Sequence, residues 1–290
     1  MAFGIRSWLE RGSFFDFGGL RIFYRREGSG APLLLVHGYP FNSYDWHKIW
    51  DDLVSRHDVV APDMLGMGFS DKPVRHGYSV FDHADMHEAL VRELGLVEFD
   101  VLAHDLGVTV VQEMLARRME NPALPKIRSV VFLNGGLFYE VYRPRLAQKL
   151  LCSPAGRVLG PITPDGAVRG ALKEMFGPDT QPTRAEVDEL VEVLKHNQGK
   201  RVNHLVGRFV LDRRRHRDRF ARPLERAVVP MRLINGNLDP NSGAHLAQRY
   251  RELVPDPDVV DLPAIGHWPQ LEAPRETVQP ALEFFARIRG

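Results

Sequence analysis

Asp105, Asp239 and His267 each stand where an apolar run stops abruptly, and together they could supply a nucleophile, an acid and a base. In VLAHDLG, Val101–Gly107, the small residues Ala103 and Gly107 lie two before and two after Asp105. A strand that turns sharply into a helix crowds its central residue, so small neighbours are needed at those offsets. A helix starting behind Asp105 would aim the Leu106 backbone N–H and its positive dipole end at the same space. Taken alone, the pattern is also that of a strand end whose aspartate caps the next helix. The residue type restricts the chemistry. A carboxylate attacking an ester or amide would form an anhydride, whereas attack on a saturated carbon bearing a leaving group gives an ordinary alkyl ester.

The ends of other apolar runs supply the companions. LLLVHGYP closes with His37, Gly38, Tyr39 and Pro40, a tight turn able to direct the Tyr39 N–H toward a developing oxyanion. With Leu106 it would form a two-donor backbone hole. LINGNLDP ends a later run with Asp239, and a Gly-His loop after the last run carries His267. His267, oriented by Asp239, would take a proton from the water that hydrolyses the ester. Nucleophile, acid and base in this chain order match the triad order of α/β-hydrolases. His37 and His104 are expected to pack or hydrogen-bond beside the pocket. Asn134, at the end of IRSVVFLN, is uncharged and could line the pocket but not replace Asp239.

Positioning these residues requires a sheet. Apolar runs at 20–24, 32–38, 58–63, 99–105, 127–134, 230–237 and 257–263 have the consecutive Val, Ile and Leu of strands buried on both faces. Residues 80–96 and 107–120 show helical spacing between them. The alternation predicts an α/β fold, a mostly parallel doubly wound sheet. The rhythm breaks after residue 135, where prolines 144, 154, 161, 164, 178 and 182 accompany helical stretches at 183–197 and 203–216. Residues 136–226 are therefore expected to form a helical cap inserted between core segments 1–135 and 227–290.

Composition narrows the classes. The 290 residues hold 38 basic and 37 acidic side chains, and a formal charge of +1 gives no general attraction for nucleic acid. Residues 201–226 carry nine arginines against three acids, expected to be a solvated helix face with the arginine stems over apolar surface, while contact with an anionic lipid, partner or substrate stays open. One cysteine, Cys152, allows no internal disulfide and suits a cytoplasmic setting. No signal peptide or membrane span is expected, and the opening residues could form a short amphipathic helix resting on the body, the favoured arrangement, or on a membrane surface. His83 and His87 lie four apart on one helical face without a third ligand, so neither a metal nor another cofactor is expected.

The chain resembles α/β-hydrolases of the epoxide hydrolase and haloalkane dehalogenase group. It is more closely similar to the mesoderm-specific transcript protein family, in GLRIFY, HGYPFNSYDWHKIW, DMLGMGFSDKP, LAHDLG, LNGG, FGPDTQPT and LDPNSG. The likeness runs from about Gly19 to the C-terminus and implies the α/β-hydrolase fold and an aspartate nucleophile; a small hydrophobic molecule is the expected substrate. Asp63 and Ser70, in the third motif, are expected to be structural.

Epoxide hydrolases of the group offer two cap tyrosines to the epoxide oxygen. The cap tyrosines here are Tyr139 and Tyr142, and Phe209 lies in the late segment where a second would be expected. Dehalogenases usually place a tryptophan after the nucleophile and often an asparagine after His-Gly; Leu106 and Tyr39 occupy those positions. GHWPQLEAP, with Trp268 beside the base, favours epoxide opening, and dehalogenation stays open. A non-catalytic binding role and pairing with a second copy also stay open. No Gly-x-Ser-x-Gly occurs to support a serine esterase.

Overall fold

Buried strands and amphipathic helices alternate along the chain much as the apolar spacing predicts. The computed structural model describes residues 4–153 and 155–290; residues 1–3 and Pro154 lie outside the described residues. Eight strands, β1 (Ser13–Phe17), β2 (Leu20–Gly28), β3 (Ala31–Val36), β4 (His57–Pro62), β5 (Glu98–Ala103), β6 (Lys126–Phe132), β7 (Met231–Gly236) and β8 (Asp258–Leu262), form one sheet. Their order is β1-β2-β4-β3-β5-β6-β7-β8. Only the β1–β2 and β2–β4 pairs are antiparallel. From β3 the chain moves outward to β4, then returns to β5 on the other side. The strand order thus reverses between β3 and β5, where doubly wound sheets open a crevice at their carboxyl ends.

β1 was not legible as a strand, because its burial alternates and only Phe15 turns fully inward. The preceding helix, Ile5–Glu10, buries Ile5 and Trp8 against the body, as expected of an amphipathic segment. The buried Arg25 guanidinium lies between the Trp8 and Trp50 rings, 4.2 and 4.5 Å from their centroids, an arrangement that needs both faces covered.

Each sheet face has its own core. One gathers Val80, Leu90, Val108 and Val111 from the helices Val80–Glu93 and Leu106–Glu120 over Leu34, Val101 and Val130. The other sets Trp8, Trp50, Val278 and Phe285 over Leu33, Leu35 and Leu102. Asp63 holds the connection after β4, accepting from the Ser43 and Phe69 amides at 2.8 and 2.7 Å, while the Ser70 hydroxyl donates to the Asp63 carbonyl.

Between β6 and β7, all regular elements among the described residues are helical. They are Leu146–Cys152, Gly156–Ile162, Asp165–Lys173, Arg184–Lys195, Gly199–Val206, Phe209–Arg215 and Arg217–Glu225, with a short 3-10 turn at His196–Gln198. Thr183 and Glu186 form a capping box that starts the fourth. The expected 203–216 helix is divided at Gly207, where an added Cβ would stand 3.1 Å from the Tyr39 hydroxyl oxygen. This segment has a core of its own, with Leu172, Met175, Phe176, Val187 and Leu190 packed on Phe41, Trp268 and Leu271. The Arg-rich stretch is largely the solvated face expected, with seven of its nine arginines exposed, and departs from it at two positions. Arg214, Arg215 and Arg217 are exposed, but Arg213 is buried and Arg219 pairs with Glu113 and Glu120 at 2.6 Å each.

No described helix is long and apolar enough to cross a membrane. Among the described residues no three His, Cys, Asp or Glu side chains gather as metal ligands. His83 and His87 point into the core, and burial lowers them to about 3 and about 4. Burial likewise lowers His37 to about 4 and His104 to about 3. Each is neutral when folded, whereas the unfolded chain binds the proton below about 6.5. Their stabilisation is therefore complete above that pH and is lost as pH falls toward their folded values. The urea midpoint is expected to drop steeply between about pH 6.5 and 4; a flat midpoint across that interval would contradict the assignment of four neutral buried imidazoles.

Candidate active site

Val36 of β3 pairs with Ala103 of β5, so the loops leaving the two strands emerge side by side. One carries Gly38 and Tyr39, the other Asp105. Asp105 adopts φ 48° and ψ −109°, and the helix Leu106–Glu120 begins immediately after it. Its side chain makes no helix-capping hydrogen bond, which removes the capping alternative. Instead Oδ1 accepts the Tyr39 backbone N–H at 2.9 Å. Crowding explains the glycines: a Cβ at Gly107 would lie 2.2 Å from the Val36 carbonyl oxygen, and one at Gly38 would lie 2.6 Å from the Asp105 Cβ.

The other Asp105 oxygen, Oδ2, stands 3.6 Å from His267 Nε2. His267 Nδ1 donates to Asp239 Oδ2 at 2.7 Å. Asp239 also accepts from the Asn241 N–H at 2.8 Å and from the Ser242 hydroxyl. All three charged side chains are buried. Burial acts to lower the His267 pKa, but the Asp239 charge and hydrogen bond, helped by Asp105, outweigh it and raise the imidazole to about 8. Burial acts to raise Asp239, but His267 and the Ser242 and Asn241 hydrogen bonds bring it down to about 2.

Neighbouring residues fix this arrangement without all facing one space. Asn134 donates to the Gly236 and Ser242 carbonyls at 2.9 and 3.1 Å and to Asp239 Oδ2 at 3.2 Å, and accepts the Gly236 N–H at 2.6 Å. It clamps the acid's loop and is absent from the cavity wall. His104 Nε2 donates to the His267 carbonyl at 2.8 Å, beneath the base. His37 accepts the Met64 N–H at Nε2, so its Nδ1 carries the proton donated to the Gly38 carbonyl. Glu272 ties the base's loop to the helical segment, accepting from the Gly177, Gly266 and Trp268 amides at 2.7, 2.9 and 2.9 Å and from Thr180 at 2.6 Å.

A cavity of about 360 Å³ lies over Asp105 and His267. Apolar walls come from Tyr39, Phe41, Leu172, Met175 and Trp268, and polar groups from Gln148, Asn241 and the paired Arg145 and Glu174. Of the sequence-based substrate-binding candidates, Trp268 alone is in this wall. Tyr142 is buried behind it, its hydroxyl 3.0 Å from the Gln148 amide nitrogen and 3.5 Å from that of Asn241. Tyr139 is half-buried outside the cavity. Phe209 packs on Tyr39, ring centroids 5.7 Å apart. The carboxamides, with Arg145 and Glu174, thus stand in the polar wall where phenols were expected, and the Tyr142 ring is turned under Arg213, whose guanidinium carbon lies 5.0 Å from its centroid. Sequence reasoning missed Gln148, Asn241, Glu272 and Arg213. LDPNSG and GHWPQLEAP contained two of them, but neither motif reveals its partner across the fold.

A family profile described as alpha/beta hydrolase fold matches residues 31–151. The chain is 40% identical to the mesoderm-specific transcript protein of Mus musculus over 284 residues, covering 93% of this chain and 84% of the mouse protein. Among solved structures it resembles an epoxide hydrolase, CorEH, with a TM-score of 0.78 and 22% identity over 96% of this chain and 99% of that one. It also resembles the haloalkane dehalogenase DbeA from Bradyrhizobium elkani, with a TM-score of 0.80 and 23% identity over 96% of this chain and 98% of that one. The architecture is the α/β-hydrolase fold expected from the motifs.

Asp239→Asn is expected to lower the His267 pKa from about 8, because burial would then be opposed by the Asp105 and Glu272 charges without the larger Asp239 contribution. Titration of the imidazole resonances by NMR measures this, and an unchanged midpoint would refute the assigned cause.

Proposed function

The chain belongs to the mesoderm-specific transcript family, within the α/β-hydrolase fold, and on that footing we propose that it hydrolyses small hydrophobic molecules through an alkyl ester on Asp105. The observation that carries this reading is the division of labour between the two carboxylate oxygens. Oδ1 already rests on the Tyr39 N–H, while Oδ2 is directed toward His267, with Asp105 and His267 both in the cavity wall. Oδ2 attacks a saturated carbon, the bond to the leaving group breaks, and Oδ1 becomes the ester carbonyl oxygen inside the donor pair of Tyr39 and Leu106. Neutral His267 then removes a proton from water as the water oxygen adds to Cγ. The charge gathers on Oδ1, and collapse releases the alcohol, which takes the proton back from His267. With Asp239 and the helical cap over residues 136–226 excluding bulk water, the His267–Asp239 pair stays oriented between the two steps.

The lead substrate class is epoxides, giving diols. The opened oxygen would be hydrogen-bonded by the Gln148 or Asn241 carboxamide and protonated by water. The proton left on regenerated Asp105 returns to solvent and closes the balance. A second reading, halide displacement, is favoured by those same carboxamides, which can donate hydrogen bonds to a halide that needs no proton.

Epoxides and haloalkanes tested in parallel, with diol and halide release measured separately, distinguish these leaving groups. Single turnover in heavy-oxygen water should put label into the Asp105 peptide, and unlabelled Asp105 after productive turnover would refute the ester. His267→Gln should slow ester hydrolysis by about 10²–10⁴-fold and leave the adduct trapped on Asp105, detectable by peptide mass spectrometry. Silence toward both substrate classes, with no adduct, would favour a binding role.

A further inference from the structure

Arg213 is 2% exposed and has no carboxylate partner among the described residues. Its Nε donates to the Thr109 hydroxyl at 2.7 Å, and its Nη2 donates to the Asp105 backbone carbonyl at 2.8 Å. The Phe209 and Tyr142 ring centroids lie 4.6 and 5.0 Å from its guanidinium carbon. Gly136 leaves the space, since a Cβ there would be 2.6 Å from Nη1. A cation drawn this far from water, with one hydroxyl, one backbone carbonyl and two ring faces but no carboxylate to meet it, calls for a reason beyond packing.

The carbonyl of Asp105 and the N–H of Leu106 are opposite ends of one planar peptide. A cationic donor on the oxygen fixes that plane and draws electron density from the nitrogen, strengthening the N–H as a donor. We infer that Arg213 is a positioning residue for the oxyanion hole, acting through the Asp105–Leu106 peptide; this rests on the hydrolytic reading above. The same helix braces the other donor, because Phe209, one turn before Arg213, packs against the ring of Tyr39. One turn of the helical segment therefore supports both backbone donors.

The two chemical steps respond differently. Forming the ester removes negative charge from the Asp105 carboxylate, whereas hydrolysing it builds charge on Oδ1 within the hole. With styrene oxide as the probe, quenched single turnovers followed by peptide mass spectrometry report both rates. Arg213→Gln should leave adduct formation within about twofold of the parent and slow adduct loss by about tenfold, less than deletion of a donor. Arg213→Lys, retaining the charge, should restore part of that loss. Independently of turnover, the Leu106 amide ¹⁵N resonance should move in Arg213→Gln, and by more than the Tyr39 amide, which Arg213 reaches only through the Phe209 ring. An unmoved Leu106 resonance, or equal slowing of both steps, overturns the inference. Failure of His267→Gln to trap an adduct would instead overturn the hydrolytic reading, and the Leu106 resonance would still decide whether Arg213 acts on that peptide.

Discussion

The Asp105 backbone, held at φ 48° and ψ −109°, costs about 1–3 kcal/mol relative to ordinary extended or helical geometry, and the surrounding chain is shaped to keep it there. The Asp105 N–H donates to the Asn134 carbonyl at 2.8 Å, and its own carbonyl accepts from Arg213. Gly38, Gly107 and Gly135 come too close to neighbouring chain to carry side chains without displacement. The consequence is a carboxylate thrust clear of the sheet edge with one oxygen already on a backbone donor. A relaxed strand-to-helix junction would have turned that side chain back to cap the helix, and the donor would face nothing.

Around this turn the buried charges compensate one another. Asp105 and Asp239 carry two negative charges, and protonated His267 reaches both of them. Isolated burial of any of them would cost several kcal/mol, so each depends on the rest. The raised His267 pKa expresses this dependence: two carboxylates outweigh the burial that would otherwise keep the ring neutral. Its contribution to stability is full below its ordinary value of 6.5 and is lost as pH rises through about 8. His267 is consequently poised between its charged and neutral forms near physiological pH.

The helical segment is joined to this region by polar contacts as well as by its apolar core. Glu272 accepts from both Gly177 and Thr180 of FGPDTQPT and from Gly266 and Trp268 of GHWPQLEAP. The His267 N–H donates to the Met175 carbonyl at 2.9 Å. Two sequence-distant motifs are thus parts of one hydrogen-bonded unit that sets the base. Displacement of the 175–180 turn would move His267, so the segment that roofs the cavity also governs the geometry of its floor.

Much of the frame was legible because burial on both faces leaves continuous apolar runs, and because crowding at a tight turn demands small residues at fixed offsets. Those two regularities located seven of the eight strands, the Asp105 turn and the loops bearing Asp239 and His267. β1 escaped because an edge strand with one inward phenylalanine leaves little periodic signal. The direction of each side chain was a tertiary matter. Asn134, His104, Tyr142 and Phe209 have residue types suited to a pocket, yet they serve behind it, since which face a loop residue presents depends on neighbours distant in the chain. Arg213 is the sharpest case: within RRRHRDR it is one arginine among many, and helical phase places it, rather than exposed Arg214 or Arg215, against the carbonyl of Asp105. The sequence by itself determined which chemical groups stand at the strand ends; only the tertiary structure decided which of them share a cavity, because that is set by packing between segments more than a hundred residues apart.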